Sequence, residues 1–410
     1  MNNHMKVGFV GPYSTANLGD YAMLVNNIYD LKCHNVTVFT YSQKFPKISL
    51  DLYCDKYNIE YIEPKLKDDL EWDYLNKNNN LTPMDILFCL ENIEELENSI
   101  KKLDVVIVSG GGWLNHFWAK RKDKVFKIMT PLLIAQQLNK KIVFTANGIG
   151  PFDDTKEFYQ YFFSYIYSAE LAVRDKFTST YYLKEVGVSE NKVKYLPDDL
   201  YIINKSILNF KRNFEVKSLN YIVMEMFYPM DILQQNINKI KEFAKEIKEK
   251  YNLDIVFLPY DLVFYGLDQA RYLHKNISNS ELIDIESIGF LPIHDAFHII
   301  KNAKFMLSSR YHGLVLSLAA QTPVIYRTLP TNNDMRYSYS KAVGLIRRVF
   351  DGIEIDEHKF IETDLNTTLN KISQNLNELV TYQQEKFFNR KYSDNRDYLE
   401  IDRIKYLNSI

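Results

Sequence analysis

The chain has 410 residues, enough for two domains on the usual length prior, and 46% of them are hydrophobic, enough for sizeable cores. Its 50 basic and 52 acidic residues balance, which argues against a nucleic-acid binder that works by bulk positive charge. Cys33, Cys54 and Cys89 are odd in number and widely spaced. They make no disulfide framework and no C-x-x-C motif, so a reducing cytosol is the expected compartment. The apolar runs fall far short of the roughly 18 residues of a membrane span, and no secretory leader is visible. The expectation is a cytoplasmic protein with no transmembrane segment, working at the inner face of the membrane if its substrate is lipid-linked.

Strand-like apolar runs alternate with helical patterns, which predicts an α/β fold with parallel sheets. In chain order, the first half reads as strands at 6–10, 36–41, 105–109, 142–146, 170–173 and 193–196, with a helix at about 21–31. The charged stretch 65–80 reads as a surface excursion, and the polar stretch 204–218 as a linker. A second α/β unit follows. It has a strand at 220–226, an amphipathic helix at 230–251 with Lys239, Lys241, Glu242 and Lys245 on one face, and a strand at 254–258. A short helix at 291–301 takes Pro292 in its first turn, and strands at 305–308 and 323–326 close the sheet. The tail from 361 reads as long, polar helix. The domain expectation is an N-terminal α/β domain over 1–205, a C-terminal α/β domain over 206–350 and a helical tail over 351–410.

The residues with chemistry to offer gather just past the carboxyl ends of these strands, the edge where open α/β sheets bind ligands. Arg310, Tyr311, His312 and Gly313 link a strand to a helix. A guanidinium suited to bidentate anion binding, a titratable imidazole and helix N–H groups meet there, and Gly313 lets the backbone bend. In the first loop, Asp20 either caps the following helix or, with Asn17, holds an acceptor hydroxyl. Gly110, Gly111 and Gly112 permit close backbone approach, and Trp113 after them either stacks on a sugar or packs between domains. Asn147 and Gly148 to Gly150 form a neighbouring wall. Arg174 either reaches a ligand or pairs with Glu170 or Asp175, and Ser179 packs or caps. His294, Asp295 and His298 are a near miss to the H-E-x-x-H zinc pattern with no third ligand nearby, and read as ordinary helix residues. No D-x-D triplet occurs, which speaks against metal-dependent GT-A sugar transfer.

Taken in order, these stretches resemble the polysaccharide pyruvyl transferase family. The landmarks are Asn17-Leu18-Gly19-Asp20, Gly110 to Gly112, Gly148-Ile149-Gly150-Pro151 and Arg310-Tyr311-His312-Gly313. Residues 172–180 resemble the family's Arg-acid-x-x-Ser segment, with Thr178 at the expected Ser and Ser179 one place later. The resemblance spans roughly residues 6–345. It implies two Rossmann-like domains facing across a cleft, as in GT-B glycosyltransferases, a fold in which a terminal helix often crosses back to the first domain. It implies transfer of the pyruvate unit of phosphoenolpyruvate to two sugar hydroxyls as a cyclic ketal, with no metal and no resident cofactor. By the same resemblance Arg310 and His312 are the catalytic and donor-binding pair. From their positions after strand ends, Gly313 and Arg174 are expected to join them at the donor, and Asn17, Asp20, Gly110, Gly111, Gly112, Trp113, Asn147 and Gly148 to line the acceptor side or the cleft. The acceptor is a saccharide or lipid-linked saccharide. Two features depart from the family. Tyr311 stands where Leu is usual, and the Lys expected after strand 323–326 is missing, with Arg327, Arg336 and Lys341 as the cations of that region. The alternative is a GT-B glycosyltransferase in which the same turn grips the diphosphate of a nucleotide sugar.

Overall fold

The computed structural model describes every residue except 1–4, 14–16, 41, 43, 79–80 and 331–333. The middle of the first loop, the end of the Asn-rich run and the centre of the 327–337 stretch therefore lie outside the described residues. The chain divides into two compact units. One holds Met1–Thr15, Met23–Asp199 and Glu400–Ile410; the other holds Ala16–Ala22 and Leu200–Leu399.

The first unit carries a five-stranded parallel sheet in the order Asn58–Ile62, Asn35–Phe39, Lys6–Val10, Val105–Val108, Lys141–Phe144. Its inner strands are apolar on both faces, as a parallel sheet covered by helices requires; all of Val105–Val108 is buried. A second parallel sheet runs Gly111–Leu114, Asn147–Ile149, Leu171–Val173, Val193–Tyr195. The glycine-rich stretches past the ends of Val105–Val108 and Lys141–Phe144 form strands of their own. Gly111, Gly112, Asn147 and Gly148 are strand residues, paired with an irregular register between Gly111 and Leu114. Strands this short, buried and poor in side chains carry no apolar alternation for a sequence reading to find. The stretch 65–80 contains a short helix, Trp72–Lys77.

A buried carboxylate closes this unit. Asp199 accepts hydrogen bonds from the Gly110 N–H at 2.8 Å, Thr145 Oγ1 at 2.6 Å and Asn27 Nδ2 at 2.8 Å. Its second oxygen meets Arg403 Nη1 at 2.5 Å, from the last helix, Arg390–Asn408. Arg403 also donates to Asn27 Oδ1 at 2.7 Å and Asp30 Oδ2 at 3.0 Å. Burial alone would raise the Asp199 carboxyl; Arg403 and the three hydrogen bonds outweigh it and hold the group below its ordinary 3.8.

The second unit is built on a six-stranded parallel sheet, ordered Ser280–Leu282, Asp254–Phe257, Tyr221–Glu225, Phe305–Ser308, Val324–Arg327, Ile361–Glu362. Helix Met230–Tyr251 buries Leu233, Ile240, Phe243, Ala244 and Ile247, a helical stripe, against Leu369, Ile372 and Leu376 of helix Leu365–Phe387. The helix ends at Asn252 in the left-handed region, whose N–H returns to Lys248 O at 3.0 Å. Helix Ile293–Lys301 starts one residue after Pro292, which is its N-cap rather than a first-turn residue. The stretch 204–218 opens with a short helix, Lys205–Leu208. It is then pinned from the side. His294 Nε2 lies 3.0 Å from Lys211 O, His298 Nε2 lies 3.1 Å from Leu208 O, and Asp295 accepts from Asn213 N at 2.9 Å. Burial lowers the His294 pKa against the pull of Asp295, and the ring serves as a hydrogen-bonding strut. Among the described residues no helix is long and apolar enough to cross a membrane.

Replacing Arg403 with Leu strands Asp199 as a buried, uncompensated charge, which costs about 3–5 kcal/mol. The urea midpoint at pH 7 is expected to fall sharply. The deficit should shrink toward pH 5, because protonation then relieves the buried carboxylate. An unchanged midpoint at pH 7 would show that the pair carries no stability.

Candidate functional site

In the second unit the site begins with a charge in an apolar strand. Glu225 ends Tyr221–Glu225 and stands in register with Ser308 of the neighbouring strand. Its Oε2 accepts from the backbone N–H groups of Ser309 at 3.0 Å and Arg310 at 2.9 Å, and lies 3.0 Å from Ser308 Oγ. Burial pushes the Glu225 carboxyl above its ordinary 4.5, and Arg310 with these hydrogen bonds only partly offsets it. The turn that follows is thus shaped by a carboxylate behind it.

Arg310 is the N-cap of helix Tyr311–Ala320. Its guanidinium is held on three sides. Nη2 donates to Asp261 Oδ2, Nε lies 3.6 Å from Glu225 Oε1, and Cζ sits 4.0 Å from the centroid of the Phe227 ring. Asp261 is fully buried. Its other oxygen accepts from the N–H groups of Phe264 at 2.8 Å and Gly266 at 3.2 Å, so one carboxylate ties a loop to Arg310. The Arg310 side chain is 15% exposed. It is an oriented cation whose charge two acids already answer.

His312 is the second residue of the helix, and its ring lies against Gly19. A Cβ on Gly19 would fall onto the imidazole. Gly313 is not a bend. It lies inside the helix, where any Cβ would collide with Ser308 Oγ. The segment carrying Gly19 is anchored to the same unit by Leu18 N–H to Tyr260 O at 3.0 Å and Tyr21 Oη to Leu291 O at 2.6 Å. Asp20 is not the N-cap. It is the third residue of helix Leu18–Leu31, which Asn17 precedes, and Asn17 Nδ2 lies 3.4 Å from Asp20 Oδ2. Of the cations after Val324–Arg327, Arg336 pairs with Asp334 at 2.7 Å and Lys341 stacks on Tyr337 at 4.1 Å.

In the first unit Arg174 is 3% exposed and pairs with fully buried Asp198 at 2.8 Å. Glu170 meets Lys141 at 3.1 Å, while Asp175 caps helix Thr178–Glu185 through the Thr178 N–H at 2.6 Å and the Ser179 N–H at 3.1 Å. Ser179 Oγ bonds to the same carboxylate and accepts from Ile149 N at 3.0 Å, a structural role. The Arg174 guanidinium lies over Gly148, where a Cβ would stand 2.8 Å from Nη2. Asn147 is buried, its Nδ2 directed at Thr145 O at 3.1 Å and Val108 O at 3.3 Å. Trp113 is not a sugar platform. It is 1% exposed, edge-on to Phe162 within the core.

A model of the polysaccharide pyruvyl transferase family matches residues 17–328. The chain belongs to that family. It is a transferase. No match was found among curated proteins. Solved structures share its fold at low identity. UDP-GlcNAc 2-epimerase of Neisseria meningitidis, bound to UDP-GlcNAc, is 13% identical, with 98% of this chain and 100% of that chain covered and a TM-score of 0.58. MnaA of S. aureus with UDP is also 13% identical, with 99% and 98% covered and a TM-score of 0.57. HepE of Anabaena with UDP and glucose is 10% identical, with 99% and 100% covered and a TM-score of 0.56. The fold of this pyruvyl transferase family member is therefore α/β and GT-B-like, with two Rossmann-like domains.

Sequence reasoning missed the acids that hold the site's cations: Glu225, Asp261, Asp198 and Asp199. A signal existed for each. Glu225 and Asp261 are lone carboxylates in otherwise apolar stretches, and Asp198 and Asp199 are an acidic pair just after Leu196-Pro197 at the end of the strand region. A charge in such a place has to find a partner. The fit of His312 against Gly19 yields a test. Gly19→Ala should fold and melt close to the parent yet lose about 10²-fold in turnover, because the imidazole is displaced. Full turnover in the Ala variant would show that the position of His312 against this segment is immaterial.

Proposed function

We propose that this protein transfers the pyruvyl unit of phosphoenolpyruvate to a sugar of a cell-surface glycan precursor as a cyclic ketal. Family membership supports the reaction class. The observation that carries the reading is the oriented Arg310–His312 pair at the carboxyl edge of the second sheet, with Gly19 making room for the imidazole.

The chemistry asks for few groups. The methylene carbon of phosphoenolpyruvate takes a proton and the adjacent carbon becomes electrophilic. One sugar hydroxyl adds there, phosphate leaves, and the second hydroxyl closes the ring. The two hydroxyl protons balance the one gained by carbon and the one carried off with phosphate. His312 is the group able to hold and deliver a proton near neutral pH. Arg310 contributes fixed N–H groups to the donor's anionic end. Its salt bridges keep it aimed, so no reorganisation is needed at the moment of reaction. The donor is a co-substrate, and the scheme uses no metal and no resident cofactor.

A second reading has one specific support. The similar solved structures are described with UDP or UDP-GlcNAc. In that case the Arg310 turn faces a nucleotide diphosphate and the protein is a glycosyltransferase. Melting curves separate the two. A ligand at about 100 times its Kd adds about 2.7 kcal/mol, and phosphoenolpyruvate rather than a UDP-sugar is expected to give the shift. Turnover with a UDP-sugar and none with phosphoenolpyruvate would hand the reaction to the second reading.

Two variants test the pair. His312→Gln should bind phosphoenolpyruvate nearly normally and lose roughly 10²–10⁴ in rate, as a general acid would; near-normal turnover would remove the proton role. Arg310→Ala should also be unstable, by about 3–5 kcal/mol, because Glu225 and Asp261 are left buried without a counter-charge. The Glu225 carboxyl is already raised by burial and rises further without Arg310. A carboxyl raised in the folded state costs stability while ionised, and the cost fades as pH falls through its folded pKa. The stability gap between Arg310→Ala and the parent should therefore be smaller at pH 5 than at pH 8.

A further inference from the structure

The second unit holds another cation at the same sheet edge, and its situation is the opposite of that of Arg310. Arg327 ends strand Val324–Arg327, in register with Glu362. Its guanidinium lies over the Tyr228 ring, Cζ 4.4 Å from the centroid. Among the described residues its buried Nε and Nη1 have no hydrogen-bond acceptor. The acids nearby are engaged elsewhere. Glu362 takes Lys371, and Asp364 accepts from Thr367 N at 2.8 Å and Thr367 Oγ1 at 2.9 Å. The buried hydroxyls of Tyr228 and of the next residue, Thr328, also lack partners. Burial lowers the Arg327 pKa to about 10, with only Asp364 acting to raise it.

Guanidinium N–H groups buried without an acceptor are costly to keep. Such a guanidinium, stacked on a ring whose own hydroxyl is unsatisfied, offers donors that a phosphate or carboxylate would complete. We infer that Arg327, with Tyr228 Oη, forms an oxyanion site distinct from the Arg310 turn and supplies donors, free of any acceptor in the protein, that hold an anionic group of the ligand. That the ligand is phosphoenolpyruvate rests on the function proposed above; that an oxyanion binds at Arg327 does not.

Calorimetric titration of the full-length protein with inorganic phosphate, pyruvate and phosphoenolpyruvate tests this, comparing Arg327→Met and Arg327→Lys with the parent. The parent should bind phosphoenolpyruvate and at least one of the simpler anions. Phosphate alone binding assigns the site to the phosphate group, and pyruvate alone assigns it to the carboxylate. Arg327→Met should weaken that binding by roughly 10- to 100-fold, the range of a charge-assisted hydrogen bond, and Arg327→Lys should recover part of it. Without ligand, Arg327→Met should melt no lower than the parent, since it removes buried N–H groups that have no acceptor. Anion binding that is intact in Arg327→Met would overturn the inference. So would a ligand-free Arg327→Met protein that melts far below the parent, or a parent that binds none of the three anions. Binding lost in Arg327→Met by a parent that does not turn over phosphoenolpyruvate would uphold the site and refute the proposed reaction.

Discussion

A buried carboxylate has to be met by a cation or by aimed N–H groups, and each unit of this protein is organised around one. In the first, Asp199 gathers the Gly110 turn, Thr145, Asn27 and, through Arg403, the last helix. In the second, Glu225 gathers Ser308, Ser309 and Arg310. Such networks contribute little net stability, because desolvation offsets most of the Coulomb gain. Their effect is positional: they fix the arrangement of the turn.

This changes what the Arg-x-His-Gly turn means. A bare Arg at a helix N-terminus is an anion trap. Here Asp261 and Glu225 answer the charge, and Phe227 fixes the plane of the guanidinium. The geometry favours direction over net attraction, which suits stabilising charge as it develops. Net attraction falls to Arg327, where no acid pairs with the guanidinium among the described residues. Orientation and charge are thus divided between two arginines on adjacent strands.

The family and the fold make separate statements. The family model covers residues 17–328 and names a reaction class. The solved structures cover nearly the whole chain at 10–13% identity and establish the fold alone. A fold of this kind hosts many chemistries, and the site has to carry the functional argument. Here that site is a few residues at the sheet edge.

The amino-acid sequence by itself determined the alternation of strand and helix, because apolar period and run length are local. Strand Lys6–Val10, helix Met230–Tyr251 and strand Phe305–Ser308 lie where periodicity places them. It also marked Arg310, His312, Gly148 and Arg174, through the order of short motifs. Four things were not legible. The strands Gly111–Leu114 and Asn147–Ile149 exist through pairing with neighbours, not through their own propensity. Gly19 and Gly313 are glycines because of His312 and Ser308, the first of these far away in sequence. Trp113, with the composition of a sugar platform, is in the core. The partners of the cations, Asp198 for Arg174 and Asp261 for Arg310, lie 24 and 49 residues away from them. A local pattern states which groups are present. Which charges meet, and which one is left unanswered, depends on contacts between distant segments, and only the tertiary structure decides that.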